Sequence, residues 1–293
     1  MKNNRTSAPD ANAGLLAIDV RNAATRFGLF AGDEERPFAT WSISTPSSLT
    51  VDEAKRELHS FFAMAAAGIA TAPGSGATFG ATAADAAGSA TASLPGTAIV
   101  ASVVPMLTDT WSNAARFFTG TRTLVVGPGL KTGIPMRYND PAHIGADRIA
   151  NIAAVVARRI APALVIDLGT TTNIEVVDQS GGFCGGVIAP GIDVSARAVS
   201  ESAAKLTQIT MKAPKSIIGK NTDDAVRSGI VMGEVARIDG LVAMIWDELG
   251  TQTPIIMTGH GASGIAALSS LDVEVESDLT LSGLRTLALQ NKR

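Results

Sequence analysis

A chain of 293 residues, 46% hydrophobic and 17% charged, holds ample apolar material for a core, which excludes wholesale disorder. Its net charge of -3 comes without any lysine and arginine block, so neither nucleic acid nor an anionic membrane is an expected partner. The single cysteine, Cys184, excludes an internal disulfide, and His59, His143 and His260 are too scattered for a structural zinc centre.

Residues 1–13 read as a polar tail with no secretion signal, and no apolar run reaches the roughly 18 residues of a membrane helix, so a cytosolic protein is expected. Leu15 to Val20 reads as a buried strand ending on an acid, Asp19, and Arg26 to Phe30 as the return strand of a hairpin. Asp52 to Phe62 has helical spacing. Residues 64–98 are built almost wholly from Ala, Gly, Ser, Thr and Pro, which reads as a low-complexity, mobile insertion without chemistry. A buried strand follows at Ala98 to Val104, closed by Pro105, and another at Thr123 to Val126. Ala146 to Ile160 reads as an amphipathic helix stopped by Pro162. Ala163 to Gly169 is a second buried strand ending on an acid, with Ile174 to Asp178 returning. Helices are expected at 191–205 and 222–249, a strand at Pro254 to Gly259, and a last helix at Thr280 to Gln290.

One internal similarity organises these elements. Leu15 to Thr25 aligns without a gap on Ala163 to Asn173, each reading strand, acid, polar turn, strand. A duplicated α/β fold with one such hairpin per half is the simplest reading. The halves would be residues 14–145, interrupted by 64–98, and 146–293.

The turn Asp167-Leu168-Gly169-Thr170-Thr171-Thr172 is the best phosphate candidate. Glycine admits close backbone approach, the hydroxyls and amides donate, and the acid can hold a cation or its waters. An ordinary hairpin with Asp and Gly as turn formers is the alternative. The first turn, Asp19-Val20-Arg21-Asn22-Ala23-Ala24-Thr25, is chemically poorer, with Arg21 where the second has Gly169. An Arg21 at positive φ would be strained. Gly145-Ala146-Asp147-Arg148 opens the amphipathic helix. Asp147 either complements the helix N-terminus or accepts the proton of an alcohol, with Arg148 holding negative charge. Thr222 either caps the longest helix or faces a ligand. Gly229, Gly233 and Gly240 on that helix point to close helix approach, within the chain or across a dimer. Cys184, without a nearby histidine, reads as a small core residue.

Five blocks together resemble the type III pantothenate kinases, including the Bvg accessory factor-like members: GPGLKTGIPMRYNDPAHIGADRIANIAA (127–154), IDLGTTTNIEVVD (166–178), GGVIAPGI (185–192), IGKNTDDAVRSGIVMGEVARIDGLV (218–242) and LTLSGLR (279–285). The resemblance implies a duplicated ribonuclease H-like (actin-like ATPase) fold with two similar mixed-sheet halves. It implies ATP-dependent phosphorylation of pantothenate, the entry step of coenzyme A synthesis, by a homodimer using Mg2+ and a monovalent cation, K+ or NH4+. The roles it implies are Asp147 as proton acceptor; Tyr138, Gly145, Ala146, Asp147, Arg148 and Thr222 around pantothenate; and Asp167 as cation ligand. For ATP it implies the loop Asp19, Val20, Arg21, Asn22, Ala23, Ala24, Thr25 and Arg26, with Thr170. The family pattern Asp-x-Gly-Asn-Thr is here Asp19-Val20-Arg21-Asn22-Ala23, and an expected glycine pair is Gly259-His260. These departures leave two alternatives: a catalytically impaired, pantothenate-binding regulatory relative, and a superfamily kinase for another small hydroxy acid or sugar.

Overall fold

The computed structural model describes residues 14–68, 94–202 and 212–292. The polar tail and most of the low-complexity stretch, 69–93, lie outside the described residues. The described chain forms two compact units. One comprises Met1–Gly133, Ala142–Ala154 and Asp278–Arg293, the other Ile134–Pro141 and Val155–Ser277.

The first unit holds a five-stranded sheet. Its strands are β1 (Leu15–Val20), β2 (Ala24–Phe30), β3 (Ala39–Ser44), β4 (Thr97–Ser102) and β5 (Leu124–Val125), in the order β3-β2-β1-β4-β5. The β1–β2 and β2–β3 pairs are antiparallel; β1–β4 and β4–β5 are parallel. Strand β1 is buried along its whole length, as a central strand covered on both faces must be. On one face, Leu16, Ile18, Val20, Phe27 and Val100 pack with Leu58 and Phe61 of α1 (Val51–Ala66) and Leu107 and Trp111 of α2 (Pro105–Thr119). Phe27 and Trp111 meet edge-on at 5.0 Å between ring centroids. Each fully buried side chain of this kind stabilises the fold by roughly 1.5–3 kcal/mol. Thr50 starts α1 with a reciprocal capping box to Glu53. Pro105, read from sequence as a strand stop, is instead the first residue of α2, where its missing N–H costs nothing. The other face of the sheet carries α7 (Leu279–Gln290), tied to β2 by Arg26 Nη2 on Asp278 Oδ1 at 2.8 Å.

The second unit repeats the arrangement. Its strands are β6 (Ala163–Leu168), β7 (Thr171–Val177), β8 (Phe183–Pro190), β9 (Ile255–Gly259) and β10 (Glu274–Val275), in the order β10-β9-β6-β7-β8. The pairing directions match strand for strand. Leu164, Ile166, Leu168, Ile174 and Met257 pack with Val231, Val235, Ile238 and Val242 of α5 (Thr222–Leu249) and Ile265 of α6 (Ala262–Ala266). The remaining helices are α3 (Ala146–Ala157), which the unit boundary divides, and α4 (Ile192–Ser202) of the second unit. Two mixed sheets of identical topology bear out the duplication that the repeated hairpin implied and the ribonuclease H-like fold that the family resemblance implied.

The register corrects that repeat in one respect. Thr25 faces Val20 and Thr172 faces Leu168, so residues 21–24 span the first turn but only 169–171 the second. The ungapped alignment holds to the strand ends and then slips by one. Thr25 and Thr172, both buried, are the structural equivalents.

Cys184 is exposed, which corrects its reading as a core residue. It lies on β8, and its thiol donates to Asp178 Oδ2 at 3.5 Å. Burial and this carboxylate push the thiol up from its ordinary value, which leaves it a poor nucleophile. Asp178 closes the β7–β8 turn by accepting from Ser180 Oγ at 2.6 Å and from the amides of Ser180 and Gly182. Burial pushes its carboxyl up, but these hydrogen bonds outweigh burial and hold it well below its ordinary 3.8. A depressed carboxylate stabilises the fold fully above the ordinary value and loses that contribution as pH falls toward the lowered one. The melting-temperature gap between wild type and Asp178→Asn is therefore expected to be constant at neutral pH and to shrink below about pH 4. A gap that stays constant down to pH 2 would refute this.

Candidate functional site

The first turn is held from inside. Asp19, at the end of β1, is only 1% exposed. Arg21 Nε donates to its Oδ2 at 2.7 Å, and Arg21 Nη2 donates to Thr280 Oγ1 of α7 at 2.8 Å. Thr280 in turn donates to Asn151 Oδ1 of α3 at 2.7 Å. The backbone of the turn is fixed by Arg21 N on Ala24 O, and by Thr45 Oγ1 on Arg21 O at 2.6 Å. Thr25 Oγ1 meets Thr45 Oγ1 at 2.9 Å. Arg21 does not have positive φ, so the strain its position invited is absent; among the described non-glycine residues only Arg159 is left-handed. Val20 is buried, whereas Asn22 and Ala23 form the exposed tip before Ala24 begins β2. Arg26, the last residue of the expected phosphate loop, donates from Nη2 to Asp278 Oδ1 at 2.8 Å.

Helix α3 begins one turn before Asn151. Asp147 and Asn151 are four apart and so share a helix face. The same helix that anchors the Arg21 network therefore presents the Asp147 carboxylate at its start. Asp147 Oδ1 accepts from the Arg148 amide at 2.9 Å. A Cβ at Gly145 would sit 2.5 Å from that oxygen, so the carboxylate folds back over this position only because Gly145 has no side chain. Ala146 and Arg148 are buried, and Asp147 is half-buried. A carboxylate at a helix start, followed in the chain by a buried arginine, can accept a proton from a substrate whose negative charge the arginine holds.

In the second unit, Asp167 is 1% exposed and stands opposite Thr258 of β9 in the parallel register. Thr258 Oγ1 is buried without a hydrogen-bond partner. Gly169 N donates to Thr171 O across the turn, and Thr170 and Thr171 are exposed at its tip. Next to this turn lies a pocket of about 190 Å³, lined by Gly169, Thr172, Asp193, Glu234 and His260 among apolar walls that include Leu168 and Ile265. Thr172 Oγ1 donates to the buried Glu234 at 2.5 Å; the Arg237 guanidinium, on the same helix, also donates to Glu234 and to Pro190 O. Sequence reasoning missed Glu234, His260 as a pocket residue, Asn151, Thr280 and Thr45. Only a polar residue on an otherwise apolar helix face could have signalled the first of them.

Tyr138 is partly exposed and stacks on Phe183 of β8 at 5.3 Å. Thr222 is exposed at the first position of α5, and the helix cap is Asn221, whose side chain accepts from Asp224 N at 2.8 Å. That corrects the reading of Thr222 as the cap and leaves its hydroxyl on the surface. A Cβ at Gly229, Gly233 or Gly240 would meet nothing within 4 Å, so packing within the described chain is not what these glycines serve.

Two hairpins that each place a buried acid at the end of a central strand, in two units of the same mixed-sheet topology, define the actin-like ATPase fold class. The family model for type III pantothenate kinase matches residues 15–244. The type III pantothenate kinase of Geotalea uraniireducens is 34% identical over 279 residues, covering 95% of this chain and 99% of that protein. That of Anaeromyxobacter dehalogenans is 36% identical over 278 residues, covering 95% and 100%. Among solved structures, a Campylobacter jejuni protein described as a Baf family transcriptional activator superposes with a TM-score of 0.54 at 16% identity, covering 94% of this chain and 98% of that one. The chain belongs to the type III pantothenate kinase family.

Proposed function

We propose that this protein transfers the terminal phosphoryl group of ATP to the terminal hydroxyl of pantothenate, the first step of coenzyme A synthesis, in the cytoplasm. The observation that carries the reading is the Asp147 carboxylate at the start of α3, beside buried Arg148. Asp147 accepts the hydroxyl proton as the oxygen attacks, and Arg148 holds the substrate's negative charge. Gly145, Ala146, Tyr138 and Thr222 contact pantothenate. Phosphoryl transfer needs positioning and charge neutralisation more than covalent work by the protein. In the first unit the turn from Asp19 to Arg26 serves phosphate; in the second, Thr170 does, and the 190 Å³ pocket takes the base. That volume is small beside the roughly 300–1,000 Å³ of drug-sized sites and suits one ring system.

Asp167 and the orphaned Thr258 hydroxyl would hold a monovalent cation, K+ or NH4+. Mg2+ carried on the phosphates supplies neutralisation of developing charge when bound. The exposed face of α5 presents Ala225, Gly229, Gly233, Ala236, Gly240 and Ala243, a stripe of small residues that suits a second copy of the chain as a homodimer. Sedimentation velocity reads the dimer directly; a monomer at micromolar concentration would remove it.

The test of the activity is ADP release by purified protein with Mg2+, with and without pantothenate, in potassium and then sodium buffer. Release that requires pantothenate and is faster in potassium is expected. Release that ignores pantothenate, or that prefers a sugar alcohol, would overturn the assignment.

A further inference from the structure

The two acids at the strand ends are equivalent in the fold, but the residue that opens the turn after each differs in kind. Two residues after Asp167 the chain has Gly169, with no side chain. Two residues after Asp19 it has Arg21, whose Nε lies 2.7 Å from Asp19 Oδ2. Asp19 is 1% exposed and Arg21 19%. A carboxylate this buried requires a positive partner, because desolvation of the bare ion is costly. A first turn without a side chain at this position would leave that place open to a metal ion from solution. Here the partner is covalent, and it is aimed from three sides. The backbone at Arg21 is pinned by Thr45, the guanidinium is held by Thr280 of α7, and Thr280 is oriented by Asn151 of α3. Both Thr280 and Asn151 are fully buried, so this is a fixed geometry and not a surface pairing.

We propose that Arg21 is a built-in counter-cation for the first turn: its guanidinium takes the place that a bound metal ion would take at Asp19, so Asp19 recruits no cation in this protein. The proposal rests on reading this turn as a phosphate loop. It follows that the phosphate-facing charge of the first turn is permanent, and that the reaction's dependence on added cations arises elsewhere, at the nucleotide and at Asp167.

Mn2+ bound to the nucleotide-free, full-length protein, counted by electron paramagnetic resonance, tests this without reference to turnover. Wild type and Asp19→Asn are expected to bind the same number of ions. Arg21→Gly is expected to bind one more per chain, and the Asp19→Asn/Arg21→Gly double variant to lose it again. Arg21→Lys, which keeps the charge, is expected to match wild type. Fewer ions on Asp19→Asn than on wild type would overturn the proposal, as would an unchanged count on folded Arg21→Gly. Should Arg21→Gly fail to fold, the wild type and Asp19→Asn comparison still decides whether Asp19 holds a metal ion. The ion count stands apart from activity, so its failure is distinguishable from failure of the pantothenate assignment.

Discussion

Asp147→Asn is expected to lower pantothenate-dependent ADP release by about 10²–10⁴-fold in kcat, the usual worth of a positioned general base. Asparagine is the informative replacement. Its carboxamide oxygen can still accept from the Arg148 amide, as Asp147 Oδ1 does at 2.9 Å, so the helix start is preserved. It still fits over Gly145, where no Cβ stands in the way. What it lacks is the ability to take a proton. Pantothenate should therefore still raise the melting temperature of the variant, because binding to the folded state stabilises it by mass action. The expected pattern is a lost rate with retained binding. A variant that turns over within threefold of wild type would remove Asp147 from the chemistry. One that loses pantothenate binding along with the rate would make it a binding group only.

Gly283→Ala is expected to destabilise the protein by about 2–4 kcal/mol and to lower its melting temperature by roughly 5–12 °C. Gly283 is on the buried face of α7, within the first unit. An added Cβ would lie 1.8 Å from Ala150 O and 2.5 Å from its carbonyl carbon. Both atoms are backbone of α3, so no rotamer change relieves the overlap and the two helices must separate. That separation has a functional consequence. The Thr280–Asn151 hydrogen bond crosses the same pair of helices, and Asp147 lies one turn earlier on α3. The rate is therefore expected to fall with the stability even though Gly283 touches no substrate. Thermal unfolding and kcat at a temperature where the variant remains folded separate the two effects. An unchanged melting temperature would mean that α3 and α7 adjust at no cost.

Much of the chain was legible because its strands carry a simple physical signature. Strands β1 and β6 are runs of apolar residues with one acid near the end, as central strands covered on both faces must be. The long helix α5 falls at the expected 222–249, although its cap is Asn221 and not Thr222. Elements with weaker signatures escaped notice. Strand β3 is half exposed, β10 has two residues, and α2 begins at a proline that reads equally as a strand stop. Strand β8 was hidden by its glycines, and with it the exposure of Cys184.

The candidate site divides along the same line. Asp147, Arg148, Asp167 and Thr170 were visible because acids, cations and hydroxyls at glycine-marked turns have few structural reasons to cluster. The sequence by itself determined the duplicated hairpin, the acid at each strand end and the family to which the chain belongs, since all three are local patterns of residue type and spacing. Only the tertiary structure decided what Arg21 does. Its partner Thr280 is 259 positions away along the chain, Thr280's acceptor Asn151 is a further 129 from Thr280, and α7 reaches β1 only after the fold has closed. The one-residue difference between the two turns was likewise invisible. It is set by which residues hydrogen-bond across each hairpin, and no alignment of residue types records that pairing.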